Sequence, residues 1–385
     1  MPHMGLALQN KSDFCSCNLN KESWKNNKKE VMYVHSHPLK SVFDNPSRKI
    51  IAASLDNGIQ HKSCQVCWDL ESAGNLSPRQ EFNKAFGDLE PLPNQPRVLI
   101  IKPGNTCNFA CRMCNPATSS SWYHDGYNFE PTDLSFGEYT RQFETIRNSF
   151  NKDHDEFWNE LKLWIKNIVY IDIYGGEPFL SPAMFDLLEH GVKLGYSKEI
   201  GLRLHTNASI FNLNYLEILK QYKKVDFHVS IDSHVPAQLE YIRHKANFNQ
   251  VVENTIKFKE VLSQASNVHM NITNTITPLN VLYVDQTTRW LTDHFKLPVI
   301  SNIVQTPEYD IRHLPVPIKQ YLIKNVKTTD VNNVLQQTIP GCDIEWPKFC
   351  RATDRLDQLR NQNFAETFPD WWAMLKPYWI KSDLA

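Results

Sequence analysis

Long hydrophobic runs are missing from this 385-residue chain: no stretch approaches the ~18 consecutive apolar residues that a membrane-spanning helix needs, so a membrane protein is not expected. Met1 to Asn20 also lack an apolar run of the length a secretory signal requires, which argues against export. Charge of one sign is absent, with 41 basic residues against 42 acidic ones and a net charge of -1. No long-range field is left to draw in a polyanion, and nucleic acid is unsupported as a partner. Internal repeats and low-complexity linkers are absent too. What remains is an ordinary globular composition, 41% hydrophobic and 22% charged. The length suits ~2 to 3 domains, or one large α/β domain with attachments.

Nine cysteines is an odd number, and with no secretory signal a disulfide framework is disfavoured. Seven of them lie at 15, 17, 64, 67, 107, 111 and 114, while Cys342 and Cys350 stand far off. Reduced thiols belong in a reducing compartment, so a cytoplasmic location is expected. The run Thr106-Cys107-Asn108-Phe109-Ala110-Cys111-Arg112-Met113-Cys114-Asn115-Pro116 is the most informative feature. Three residues separate the first pair and two the second, which brings three thiolates around one tight loop and supplies no fourth. Iron-sulfur clusters normally take four thiolates, so three leave one iron open to a ligand that is not protein. A structural zinc site competes, but it wants a fourth ligand at short spacing, and the nearest downstream histidine is His124.

The expected fold class is α/β. Arg97 to Pro103 reads as a buried strand that feeds the cysteine loop directly. Two amphipathic helices follow, with stripes at Tyr139, Phe143, Ile146 and Phe150 and at Phe157, Leu161, Trp164, Ile165 and Ile168; both stripes suit core packing. A second strand, Asn167 to Tyr174, runs into Gly175-Gly176-Glu177-Pro178, and a helix from about Pro182 to Lys193 comes next. Further strands are expected at Ile200–His205, Val225–Ile231, Asn267–Ile276 and Pro298–Gln305. Helices at Leu213–Lys220, Phe248–Leu262 and Val284–Phe295 separate them. Six strands alternating with helices indicate βαβ units and a parallel sheet. Sites in such sheets collect at the C-terminal ends of strands, where the cysteine loop, the Gly-Gly-Glu-Pro turn, Thr206-Asn207-Ala208 and Ser230-Ile231-Asp232 all fall.

The CxxxCxxC run in this setting resembles the radical S-adenosylmethionine (radical SAM) superfamily, over roughly Arg97 to Gln305. The resemblance implies a partial (β/α)6 TIM-like barrel. It also implies that Cys107, Cys111 and Cys114 hold a 4Fe-4S cluster whose fourth iron takes the amino and carboxylate groups of SAM. Reductive cleavage of SAM would then yield a 5'-deoxyadenosyl radical that abstracts hydrogen from a substrate, the protein supplying binding and orientation. Gly175-Gly176-Glu177-Pro178 is similar to the family's motif for the SAM amino group, Asn207 to the third-strand position near the SAM ribose and methionine, and Ser230 with Arg243 to the pair that faces the SAM carboxylate. A hydroxyl and a guanidinium suit a carboxylate. SAM and a one-electron donor such as flavodoxin or ferredoxin are the implied partners.

Met113 stands where many members carry an aromatic residue, and Cys-Arg-Met-Cys-Asn-Pro looks like the branch with SPASM or twitch-type auxiliary segments. Cys64-Gln65-Val66-Cys67, with Glu71, Gly74, Ser77, Arg79 and Asn83 behind it, resembles the segment that precedes the barrel in twitch-type proteins. With Cys15 and Cys17 it would make four thiolates, enough to close an auxiliary iron-sulfur cluster; zinc is the competing occupant. Asp357-Gln358-Leu359-Arg360 and Thr367-Phe368-Pro369-Asp370 resemble the tail of the same group. The expected organisation is a cysteine-rich auxiliary segment over 1–95, a radical SAM barrel over 96–306 and a helical extension over 307–385, with helices at Ile318–Val326 and Thr353–Arg360. Trp371, Trp372 and Trp379 are expected to pack against the barrel. Twitch and SPASM relatives often modify peptides or proteins, which is the leaning for substrate. A nucleotide or sugar substrate, or a non-enzymatic zinc- or cluster-bearing binding module, stays open.

Overall fold

The computed structural model describes residues 8–9, 14–15, 46–72, 74, 76–90, 92, 95–102, 104–129, 132–148 and 155–380. Six strands form its centre: β1 (Val98–Ile101), β2 (Tyr170–Ile173), β3 (Gly201–Thr206), β4 (Lys224–Ser230), β5 (Val268–Ile276) and β6 (Val299–Ile303). All are parallel and lie side by side in chain order. Right-handed crossovers between successive neighbours put every connecting helix on the same face, so the sheet curls with its helices outside. Among the described residues β1 and β6 do not pair, and the barrel is open there.

Residue alternation fixes which face is which. Ile171 and Ile173, Leu202 and Leu204, and Val225, Phe227 and Val229 are buried against Leu187 and Leu188 of the helix Pro182–Lys193 and Phe258 of the helix Phe248–Leu262. Branched and aromatic side chains suit a pleated, covered surface. The alternate positions, Asp172, Arg203, His205, Asp226 and His228, therefore face the barrel interior. Register sets them in rungs, Asp172 beside Arg203 beside Asp226, and His205 beside His228 beside Asn271.

The helix Pro78–Phe86 is started by a capping box between Ser77 and Gln80, with proline at its first position. Its Phe82 and Phe86, with Leu89, cover Val98 and Tyr170 at the N-terminal end of β1 and β2; the Phe86 and Tyr170 rings lie 5.1 Å apart. That end of the barrel is thereby stoppered. Leu8–Gln9 and Phe14–Cys15 form a two-stranded antiparallel ribbon.

The chain after β6 builds a second core. Phe349, Phe368, Trp371 and Leu375 are fully buried there against Tyr241, Ile242, Ile276 and Leu279, and Trp371 Nε1 donates to Pro278 O at 2.7 Å. Trp371 thus packs as expected, while Trp372 and Trp379 sit half-buried, edge to face at 5.2 Å. One element is longer than its sequence suggests: the helix read as Thr353–Arg360 runs from Cys342 to Arg360. Pro347 argues for a later start; it lies inside the helix, where it takes one donor out of the ladder and leaves Asp343 O without its usual partner, and the helix runs through it. The seven-residue helix Pro236–Ile242 was not anticipated at all.

Candidate functional site

The loop after β1 carries the three cysteines and is held by its own backbone. Trp122 Nε1 donates to Cys111 O at 2.7 Å, Ser119 Oγ to Phe109 O at 2.6 Å and Ser121 Oγ to Cys107 O at 2.9 Å. Ala110 N and Arg112 N donate to His244 O and Ile242 O at 2.9 and 2.8 Å, which fastens the loop to the segment after Pro236–Ile242. The turn itself is closed by Cys114 N donating to Cys111 O at 2.9 Å. Burial, then the neighbouring Cys111, pushes the Cys107 thiol up to about 12. Cys114 donates its proton toward Cys111, which holds Cys111 below the ordinary thiol range and Cys114 well above it. Among the described residues no three His, Cys, Asp or Glu side chains are placed to hold a single metal ion.

Directly against this loop sits the turn after β2. Gly175 and Gly176 have φ of +77° and +52°, and Glu177 N donates to Thr106 O at 2.8 Å. A Cβ on Gly176 would stand 2.4 Å from Thr106 O, so glycine is required by both the dihedral and the close approach. The Glu177 side chain is buried and turned inward: it accepts from Thr206 Oγ1 and Asn207 N, each at 2.7 Å, and from Phe179 N at 3.1 Å. Burial pushes its carboxyl up to about 7 even so. Glu177 braces the turn against the end of β3, and Pro178 opens the short helical turn that follows.

Asn207 completes the same corner. Its Nδ2 lies 3.8 Å from Cys107 Sγ and 3.1 Å from Asn108 Oδ1, and its Oδ1 accepts from Ser209 N at 2.9 Å. Ser230 ends β4, half-buried, on the rung of Thr273. Arg243 does not pair with Ser230; its guanidinium meets the buried Asp232, Nη2 to Oδ1 at 3.1 Å and Nε to Oδ2 at 2.7 Å off the hydrogen-bonding line. Asp232 also accepts from Thr275 N at 2.8 Å, so it ties Arg243 to β5. Arg243 is close enough to Cys111 to favour its thiolate. Asp232 was visible in the sequence only as a strand-end acid.

Of the auxiliary set, Cys64 and Cys67 are buried at the start of the helix Gln65–Ser72, where Cys64 packs on Ile51 and Leu55. Burial beside Cys67 raises the Cys64 thiol to about 11. Cys17 and the side chain of Cys15 lie outside the described residues. Glu71, Ser77 and Arg79 come together: Ser77 Oγ and Arg79 Nη2 both donate to the Glu71 carboxylate, the latter at 2.7 Å, and Arg79 lies over the Trp68 ring at 4.7 Å. They clasp the Cys64–Cys67 helix to the next one. Cys350 is fully buried in the second core, and Cys342 Sγ faces His313 O at 3.0 Å.

Sequence reasoning missed the barrel's inner wall, because isolated polar residues in strands carry no motif. Tyr174, His205 and His228 stack across β2, β3 and β4 with ring centroids 4.9 and 4.6 Å apart. Burial, then His228 and Arg203, holds His205 down to about 3; burial, then Arg203 against an opposing Asp226, holds His228 to about 4. The unfolded chain takes up a proton near pH 6.5 that the folded chain refuses. Stability from each neutral imidazole is complete above that pH and falls by about 1.4 kcal/mol per unit as pH drops toward the folded value. Asp172, raised to about 6, and Glu177 work in the opposite sense, so only a difference isolates the histidine. Relative to the unmodified protein, His205→Phe is expected to gain about 2 kcal/mol in urea unfolding between about pH 7.5 and about pH 5. An unchanged gap across that range would refute the assignment.

Residues 101–278 match the family model of the radical SAM superfamily, and this part of the chain is a radical SAM domain. No curated protein matches the chain in sequence. Solved structures to which it is similar include native anSMEcpe with bound AdoMet, at 18% identity over 59% of this chain and 58% of that one, with a TM-score of 0.40. Streptococcus suis SuiB bound to S-adenosylmethionine matches at 15% identity over 74% and 64%, with a TM-score of 0.38. The methyltransferase TsrM from Kitasatospora setae, with cobalamin and a 4Fe-4S cluster bound, matches at 12% over 66% and 44%, also at 0.38. The chain spans less than two thirds of the length of each.

The residues present fit an iron-sulfur cluster bound to SAM. Three thiols project from one braced loop, and an amide and a guanidinium stand nearby to share their negative charge. A backbone-exposing diglycine abuts the loop.

Proposed function

We propose that the chain is a radical SAM enzyme in which Cys107, Cys111 and Cys114 hold a 4Fe-4S cluster. Gly175, Gly176, Glu177, Pro178, Asn207, Ser230 and Arg243 form the SAM side of the site. The observation that carries this reading is the contact between two strand ends: the cysteine loop after β1 and the diglycine turn after β2 are joined by the Glu177 N to Thr106 O hydrogen bond of 2.8 Å. When bound, the reduced cluster supplies the electron that splits SAM and generates the hydrogen-abstracting species. This chain's own residues orient and exclude. Gly175 and Gly176 present backbone to the SAM amino group, Glu177 holds that backbone by hydrogen bonds to Thr206 and Asn207, and Arg243, fixed by Asp232, places positive charge beside Cys111.

A peptide or protein substrate is the class we favour. The gap between β1 and β6 leaves the inner-face residues Ile300, 43% exposed, and Asn302 open to solvent, which admits a substrate larger than the barrel. A flavodoxin or ferredoxin would supply electrons, and Cys15, Cys17, Cys64 and Cys67 would close an auxiliary iron-sulfur cluster. The deciding experiment is anaerobic reconstitution with iron and sulfide, followed by dithionite and SAM. Release of 5'-deoxyadenosine is expected, with iron and sulfide each at about eight per chain for two clusters or about four for one. A colourless protein that holds only zinc and releases none would overturn the reading.

A further inference from the structure

The inner wall of this barrel is not built as a core. In closed barrels the interior is filled with branched apolar side chains in layers; here β2 to β4 point Asp172, Arg203, His205, Asp226 and His228 into it. Lys102 joins them. It follows β1 beside Tyr174, whose backbone N donates to Ile101 O at 2.8 Å. The Lys102 Cβ and Cγ lie 3.0 and 3.3 Å from where a Cβ on Gly175 would stand, so its stem runs beneath the diglycine turn. Loss of water around the ammonium lowers its pKa, and among the described residues no carboxylate pairs with it.

Arg203 lies on the same wall, two strands away and one rung nearer the stoppered end. Its side chain is 39% open, its single carboxylate contact is Nη1 to Asp172 Oδ2 at 3.4 Å, and its Nε has no partner. The other charges there balance: Asp172 stands against Arg203, and Asp226 against Lys224 at 3.2 Å. His205 and His228 are neutral, and their mutual stacking with Tyr174 leaves only ring edges free. The enclosed His205 Nε2 has no partner either. One positive charge is therefore in excess on a wall that also offers unused hydrogen-bonding atoms, and buried polar atoms are rarely left unused.

We infer that this wall binds an anionic group of the substrate, a carboxylate or a phosphate, through the Lys102 ammonium and the Arg203 guanidinium, with the His205 ring edge as a third polar partner. The inference rests on the radical SAM reading and deepens it by giving the substrate a charge. An anion neutralises the desolvated ammonium, and the guanidinium fork matches either oxyanion. The wall lies on the interior side of the diglycine turn, so a group anchored there has its neighbouring C–H bonds turned toward the SAM side of the site.

The test titrates inorganic phosphate and, separately, glutarate into anaerobic, cluster-reconstituted protein saturated with SAM, at constant ionic strength, by calorimetry. Saturation with SAM prevents its own carboxylate from accounting for the signal. Saturable binding of at least one probe is expected, weakened at least tenfold in Lys102→Met and in Arg203→Met and retained in Lys102→Arg. The tighter probe tells phosphate from carboxylate. Should Arg203→Met misfold with Asp172 left unpaired, the double variant Arg203→Met/Asp172→Asn leaves the wall's net charge unchanged and is expected to show the same tenfold loss. No saturable binding of either probe, or equal affinity in the Met variants, overturns the inference. Release of 5'-deoxyadenosine from the same preparation separates the two readings: release without anion binding defeats only this one, and anion binding without release defeats the radical SAM reading.

Discussion

Cys111→Ala protein is expected to purify with most of its iron lost and to release no 5'-deoxyadenosine above a protein-free control when given SAM and dithionite. The cause is ligand number. In the proposed site three thiolates leave one iron to SAM, and two would leave a second iron without a protein ligand. Cys111 is the residue on which the others depend, since its carbonyl accepts from Cys114 N and Trp122 Nε1 and its sulfur accepts a hydrogen bond from the Cys114 thiol. Alanine keeps those backbone bonds, so the loop is expected to survive and the loss to be one of metal. Cys342→Ala is the control: among the described residues that thiol donates to the carbonyls of His313 and Leu314, and full iron content and full release are expected. Iron retained in Cys111→Ala, or lost in Cys342→Ala, would refute the ligand assignment.

The barrel was legible because two periods alternate cleanly in the sequence. Strands such as Leu202–Leu204 and Val225–Val229 place an apolar residue at every second position, and the helices between them recur at helical spacing. The cysteine loop and the diglycine turn were legible because their chemistry demands particular residue types, three thiols and two positive φ values. Pairing across long sequence distance was not. Asp357 and Arg112, read singly, look like surface, while Glu177, Asn207 and Arg243 read as facing SAM and their bonds to one another or to Asp232 did not show. The inner wall escaped for a related reason: a polar residue in a half-buried strand reads as solvent-facing, and only the curl of the sheet turns Asp172, Arg203 and His205 toward one another. The helix Pro236–Ile242 starts at Val235 with no side-chain cap to announce it, whereas the equally short Leu213–Leu219 starts at Asn212, whose side chain caps it.

The second large effect is expected at Asp357, far from the cysteines in sequence and bonded to their loop. Arg112, between Cys111 and Cys114, is 1% exposed and lies 3.5 Å over the Tyr241 ring. Its guanidinium donates to Asp357, to Gln362 Oε1 at 3.0 Å and to Tyr241 O at 3.1 Å. Asp357 also accepts from Tyr241 Oη and Phe364 N, each at 2.7 Å. Asp357→Ala would leave a buried guanidinium without its counter-charge, which costs about 3 to 5 kcal/mol. Urea unfolding is expected to show that loss. Because Arg112 is part of the loop that carries the thiols, iron retention during gel filtration is expected to fall with it. Asp357→Asn removes the charge but keeps one acceptor oxygen, enough for Tyr241 Oη and Arg112 though not also for Phe364 N, and a loss smaller than that of alanine is expected. The telling variant removes both charges: Arg112→Met/Asp357→Leu is expected to be more stable than Asp357→Ala, since no unpaired ion remains buried. If the double variant is no better than the single one, the ion pair is not what holds the C-terminal helix to the cysteine loop. Packing around Trp122, over which Arg360 lies at 4.8 Å, would then carry that attachment.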